Sequence, residues 1–324
     1  MKTITELERI VDLARTGQPW LRIRERGRIE CRGRSLPLMS ITMGPEDPSL
    51  PTLGLFGGVH GLERVGSHVV IHVLESLVKR LQWDAVFQSQ LERIRIVSMP
   101  VINPGGIMLR TRANPAGVDL MRNSPVNAVA RTTPMVGGHR WGNWLPWYRG
   151  KAGEPMEPEA QALIDFVREE MFPSRHAIAL DVHSGFGSVD RLWYPYARSI
   201  GDFPHEKLCQ QIAQCLDDFE ANHVYRIEPQ SVQYTTHGDL WDHLFDLHTE
   251  QYGLDGNLFL PWTLEMGSWA WLRKNPWQIF GALGAFNPIK PHRHRRVMRR
   301  HARLIEFFLH LTASTDQWRN VPSR

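Results

Sequence analysis

A histidine and a glutamate three residues apart, His60 and Glu63, close the stretch Gly57-Gly58-Val59-His60-Gly61-Leu62-Glu63. An imidazole nitrogen and a carboxylate on one short loop can hold a single metal ion together. A second histidine, His183, ends the apolar run Ala177-Ile178-Ala179-Leu180-Asp181-Val182, and Glu265 stands near the end of the run from Leu258 to Met266. Two imidazoles and one carboxylate (His60, His183 and Glu63) leave a fourth zinc position for water, as catalytic zinc sites require. Zinc lowers the pKa of such a water to about 7 and polarises a carbonyl oxygen. Glu265, outside the ligand set, is then the group that takes the water's proton and hands it to the leaving amine. The loop from Asn103 to Asn123 carries Arg110, Arg112 and Arg122. A cation beside the tetrahedral oxyanion contributes roughly 3 kcal/mol, and Arg is suited to bidentate recognition of a carboxylate.

These groups need rigid strand ends to present them. Thr3-Ile4-Thr5-Glu6 fits a capping box, with Leu7, Ile10, Val11 and Leu13 following at helical spacing up to Gly17-Gln18-Pro19. Leu21 to Glu30 and Arg34 to Met43 read as strands joined by a turn at Arg32-Gly33. Further strands are expected at 51–58, 94–102, 176–183, 192–196, 223–227 and 258–266. Helices are expected at 65–81, from Glu157 to Phe172, at 203–219 and at 239–252. A Trp- and Gly-rich insert, 134–153, holds Trp141, Trp144 and Trp147. Strands alternating with helices predict an α/β class, a three-layer α/β/α fold. Its central mixed, mostly parallel twisted sheet would be covered by helices on both faces. In such sheets the site lies beyond the carboxyl ends of the strands. No linker stands out, so residues 1–324 read as one catalytic domain. Residues 1–50 supply an N-terminal helix and strand pair, and 285–324 a basic helix packed on it.

The 42% hydrophobic and 22% charged composition suits a soluble chain with a sizeable core. No apolar run is long enough for a membrane-spanning helix. The acidic N-terminus lacks a secretory leader's apolar segment, so a cytoplasmic location is expected. Cys31, Cys209 and Cys215 are odd in number and scattered, which excludes a disulfide framework. The segment 290–303 carries seven Lys and Arg and no acid. It could contact nucleic acid. The plainer reading is a solvated helix face opposite a buried side of Val297, Met298, Leu304, Ile305, Phe307 and Phe308.

Several segments resemble the zinc metallocarboxypeptidase family. His60-Gly61-Leu62-Glu63 resembles its HxxE zinc motif, Asn103-Pro104-Gly105-Gly106 its Asn-Pro-Asp-Gly, and Gly117-Val118-Asp119-Leu120-Met121-Arg122-Asn123 its Gly-Val-Asp-Leu-Asn-Arg-Asn. Leu180 to Ser184 is similar to the third-ligand segment. Tyr234 to Asp242 is similar to the tyrosine loop and its helix, and Thr263 to Met266 to the strand of the general base. The resemblance implies one Zn2+ per chain on His60, Glu63 and His183, with Glu265 as base. It implies Arg112 at the oxyanion, with Arg110 as second choice. Arg122 and Asn123 would lie at the substrate carboxylate, Tyr234 over the bound residue, and Trp241 at the base of the side-chain pocket. Two departures stand out: Met121 replaces an Asn that helps hold the carboxylate, and Gly105 replaces an Asp.

The expected activity is zinc-dependent cleavage of an amide bond next to a C-terminal residue of a peptide. The loss of that Asn keeps open a related-fold zinc amidohydrolase (deacylase) acting on N-acyl amino acids or a modified peptide. A binding protein using the basic segment is the reading from another class. His68, His72, His139, His237, His243 and His248 read as structural or surface residues.

Overall fold

The computed structural model describes residues 4–319 apart from 130, 202 and 282. In chain order, α1 (Thr5–Thr16) precedes β1 (Leu21–Cys31), β2 (Arg34–Met43) and β3 (Thr52–Gly57). Then come α2 (Arg64–Arg80), α3 (Ala85–Leu91), β4 (Arg95–Met99), α4 (Pro104–Leu109), α5 (Pro158–Glu170), β5 (His176–Ser184) and β6 (Arg191–Tyr194). The chain continues through α6 (Glu206–Phe219), β7 (Arg226–Pro229), α7 (Leu240–Tyr252), β8 (Leu258–Met266), α8 (Trp269–Lys274) and α9 (Pro291–Ala313).

The strands form one eight-stranded sheet in the order β1-β2-β4-β3-β5-β8-β6-β7. Its centre, β4-β3-β5-β8, is parallel, while β1, β2 and β6 each run antiparallel to an inner neighbour. Every residue of β3, β4 and β5 is buried, as a parallel strand covered on both faces demands. Side chains three apart on a strand leave from opposite faces. On β3, Leu53 lines a groove together with side chains of α2 and α9, whereas Phe56 meets Phe166 of α5 and Trp241 of α7. Helices therefore cover both faces, as expected.

Two glycines permit the approach of α2 and its leading loop. A Cβ on Gly66 would stand 2.1 Å from the Val182 carbonyl oxygen, and one on Gly61 would stand 2.0 Å from the Gly106 carbonyl carbon. Register then fixes the chemistry. Gly57 pairs with Val182, and His183 pairs with Glu265, so three strands end side by side.

The capping box does not form within the described residues. Ile4 is the N-cap with no side-chain cap, and Thr3 lies outside the described residues. Glu6 is fully buried instead. It accepts two hydrogen bonds of 2.7 Å from Arg64 and lies 2.9 Å from His68 Nε2, tying α1 to α2. Burial would raise its pKa, but His68 and Arg64 outweigh burial and bring it from 4.5 to about 2. A carboxylate with a depressed folded pKa stabilises the fold above its unfolded value, and that stability is lost as pH falls through the folded one. Glu6→Gln is expected to lower unfolding free energy by on the order of 3 kcal/mol near neutral pH. In urea titrations the gap from wild type should close between pH 4.5 and about 2. A gap independent of pH contradicts this role.

Other boundaries moved by a few residues. α3 was not anticipated because it is only seven residues long, although Asp84 marks it by accepting from the Phe87 amide at 3.0 Å. The strand expected at 223–227 is β7, Arg226–Pro229. The apolar side of α9 is buried as expected, while Arg295, Arg296 and Arg299 face solvent.

Candidate active site

The β3–α2 loop delivers His60 and Glu63, buried to 2% and 3% exposure, and the end of β5 delivers His183 at 5%. One ligand atom from each lies within 4.8 Å of the others, the one such group of metal-capable side chains among the described residues. Asn103 braces the loop from below. Its Nδ2 donates to the Val59 carbonyl at 3.1 Å, and its Oδ1 accepts from Gly106 N–H at 2.7 Å to cap α4. At Gly105, where the resemblance leads to the expectation of an Asp, a Cβ would stand 2.4 Å from the Pro115 ring.

Each ligand candidate is held by neighbours. The Ser184 amide donates to Glu63 Oε2 at 3.0 Å, and His183 Nδ1 lies 3.2 Å from that same oxygen. His183 Nε2 lies 2.7 Å from Asp181 Oδ2. Burial works against charge on His183, but Asp181 and Glu63 outweigh it and hold its pKa well above the usual value. Burial, Arg112 and His183 keep His60 neutral by holding its pKa well below normal, against the pull of Glu63. His60 Nδ1 is buried without a hydrogen-bond partner among the described residues. A neutral imidazole with an unpartnered nitrogen, a second imidazole held by an aspartate and a carboxylate fit the donor set of a catalytic zinc.

Glu265, 7% exposed, is brought to the same cavity by β8. The Phe186 amide donates to its Oε1 at 3.0 Å. Burial, then the charge of Glu63, pushes its pKa up to about 8. Arg112 reaches over the ligands. Its Nε donates to Asp119 Oδ2 at 2.8 Å and its Nη1 to Glu63 Oε1 at 3.1 Å, while its Nη2 lies 2.5 Å from His60 Nε2. Its guanidinium also lies 5.9 Å from the Trp147 ring centroid. Arg110 does not reach the cavity. It ends α4 in the left-handed conformation, φ 58°, and lines a separate surface depression beside Trp277.

The cavity, about 350 Å³, is walled by Met121, Val136, Trp147, Phe186, Trp193 and Phe286 around the ligands, Glu265, Arg112, Arg122, Tyr234 and Asp239. Arg122, 3% exposed, donates through Nε to the Val136 carbonyl at 3.3 Å and through Nη1 to the Met121 carbonyl at 3.1 Å. Tyr234 packs against Phe186 and Trp193 with ring centroids 5.5 Å and 6.0 Å away. Of the insert's tryptophans, Trp147 lines the cavity, while Trp141 and Trp144 are exposed.

Two expected substrate contacts stand elsewhere. Asn123 is outside the cavity wall. Its amide donates to the Arg149 carbonyl at 3.0 Å and accepts from Glu157 N–H at 2.6 Å, holding two loops together. Trp241 is also absent from the wall. It lies under β3 and β5, and its Nε1 donates to Asp181 Oδ2 at 2.9 Å. Asp119 and Asp181 were not assigned roles from sequence. For Asp181 the signal was present, since residues two apart on a strand share a face and His183 follows it by two.

A sequence profile of the zinc carboxypeptidase family matches residues 31–248. The chain belongs to that family. The matched stretch holds all three ligand candidates, with Glu265 beyond it. Carboxypeptidase D of Mus musculus is 26% identical over 197 residues, covering 56% of this chain and 12% of that protein. Carboxypeptidase D of Homo sapiens is 26% identical over 194 residues, with the same coverage. The match thus spans a small fraction of either relative. Bovine thrombin-activatable fibrinolysis inhibitor superposes with a TM-score of 0.69 at 16% identity, covering 97% of this chain and 98% of that one. Carboxypeptidase A from Helicoverpa armigera gives 0.58 at 18% identity, covering 90% and 71%. At such identities the structures establish the carboxypeptidase α/β fold. No helix of the described residues is long and apolar enough to cross a membrane.

Proposed function

We propose that this member of the family is a zinc hydrolase that cleaves the amide bond next to a C-terminal residue. The observation that carries the reading is the meeting of a buried His–Glu–His set, Glu265 and Arg122 in one cavity. Zinc held by His60, Glu63 and His183 would supply a water of lowered pKa and polarise the scissile carbonyl. Glu265 takes the water's proton at Oε2, the oxygen not held by the Phe186 amide, and passes it to the leaving amine. Arg112, anchored through Nε to Asp119, offers its remaining donors to the developing oxyanion. Arg122 binds the terminal carboxylate of the leaving residue in a fork, and Tyr234 closes that residue in. The apolar walls exclude water, which strengthens each of these interactions.

A second reading rests on Met121, which lines the cavity where the family has an amide side chain. With fewer donors at the carboxylate, an N-acyl amino acid deacylase remains a rival.

Purified protein is expected to carry one zinc per chain and to hydrolyse blocked dipeptides with free carboxyl ends. Chelation should abolish activity and added zinc restore it. Assays with free, amidated and N-acyl substrates separate the readings. Indifference to the carboxyl end, or preference for N-acyl amino acids, overturns the carboxypeptidase reading. A protein that binds no zinc overturns both.

A further inference from the structure

Trp241 is one of the larger buried side chains near the ligands, yet the mechanism above gives it no task. Its position is set from the start of α7. Asp239 caps that helix by accepting from the Trp241 and Asp242 amides at 2.9 Å and 3.0 Å, which fixes the first turn. The indole is 3% exposed and lies edge-on to Phe56 of β3, centroids 5.0 Å apart. Its Nε1–H points at β5 and donates to Asp181 Oδ2 at 2.9 Å.

That oxygen is shared. It also lies 2.7 Å from His183 Nε2. Asp181 is fully buried, and its other oxygen, Oδ1, has no hydrogen-bond partner among the described residues. The Trp241 indole is thus the donor that complements His183 at this carboxylate. A buried carboxylate with so few donors is oriented by each of them.

We infer that Trp241 is a positioning residue of the metal centre, acting through Asp181 to fix the ring and tautomer of His183. This rests on the reading of His60, Glu63 and His183 as zinc ligands. With Asp181 Oδ2 locked by the indole, the His183 ring is held with Nε2 toward Asp181 and Nδ1 toward Glu63, which makes Nδ1 the nitrogen that would ligate. The partner of a ligating histidine's second nitrogen fixes its tautomer and typically changes metal affinity about 10- to 100-fold. Here that partner is itself held by an indole from another element. A purely packing role for Trp241 would depend on its ring and not on its N–H.

The test measures zinc affinity of full-length wild type, Trp241→Phe and Asp181→Asn by competition with a chromogenic chelator, without reference to activity. Trp241→Phe keeps an aromatic ring against Phe56 and removes the donor. It is expected to bind zinc about 10- to 100-fold more weakly, and its cobalt form should show shifted visible bands. Asp181→Asn preserves size and should weaken binding at least as much. The double variant should bind no more weakly than Asp181→Asn, because the indole acts through the carboxylate. Equal affinities for wild type and Trp241→Phe, additive losses in the double variant, or an unaffected Asp181→Asn each overturn the inference while leaving the zinc site standing. A wild type that binds no zinc overturns both.

Discussion

Replacing Glu265 by Gln is expected to lower kcat by about 10²- to 10⁴-fold, the range contributed by a positioned general base, with zinc content unchanged. The separation of the two effects follows from the site. Glu265 is outside the His–Glu–His group, so its loss leaves the ligands in place. A Gln oxygen can still accept from the Phe186 amide that holds Oε1 at 3.0 Å. What the amide cannot do is receive a proton. Burial and the charge of Glu63 push the pKa of the Glu265 carboxylate up to about 8. Zinc held at Glu63 would oppose the second of these causes and favour the ionised form that accepts a proton. Steady-state kinetics with parallel metal analysis checks this. A variant with more than about a tenth of wild-type kcat removes Glu265 from the role.

The second large effect is expected at Arg122. Truncating one partner of a buried charge pair weakens binding by about 2–5 kcal/mol. Arg122→Met is accordingly expected to raise KM for peptides with a free carboxyl end by roughly 30- to 4,000-fold. Amidated peptides, which offer no anion, should change little. The guanidinium is well placed for such selectivity. It is 3% exposed, and its contacts to the Met121 and Val136 carbonyls orient it without neutralising it. Paired assays on free and amidated versions of one peptide give the answer. Equal losses on both would assign Arg122 to scaffolding, as would a drop in melting temperature that accounts for the lost activity.

The metal candidates and Glu265 were legible because each stands at the end of an apolar run, and parallel central strands bring such ends together. The same logic placed the helices on both faces. What failed was the aim of side chains within those elements. Position along α7 put Trp241 near the site, but spacing cannot say that its N–H would be taken by a buried acceptor on β5. Asn123 follows Arg122 directly, yet it only caps the single helical turn Leu120–Arg122, and the loops at Arg149 and Glu157 claim its amide. The choice between Arg110 and Arg112 depended on a left-handed residue at the end of α4, which the sequence Leu109-Arg110-Thr111 does not announce. Thr3 to Glu6 looked like a cap because the pattern is local. A salt-bridged tie between two helices is not local, and it won Glu6.

The pairing of His183 with Glu265 across β5 and β8 has a consequence for how this protein can change. Neighbouring strands lie about 4.8 Å apart along their hydrogen bonds, so backbone bonds set the spacing between these two groups with no loop involved. A slip of one residue would turn Glu265 to the opposite face of the sheet, which makes the spacing all-or-none. The groups that would grip the substrate, Arg122, Tyr234 and Trp147, stand instead on or beside loops. Those connections can lengthen, shorten or be exchanged while the spacing of His183 to Glu265 stays constant. Under the proposed reading, preference for one chain end over another could therefore be redesigned without moving the groups proposed as ligand and base.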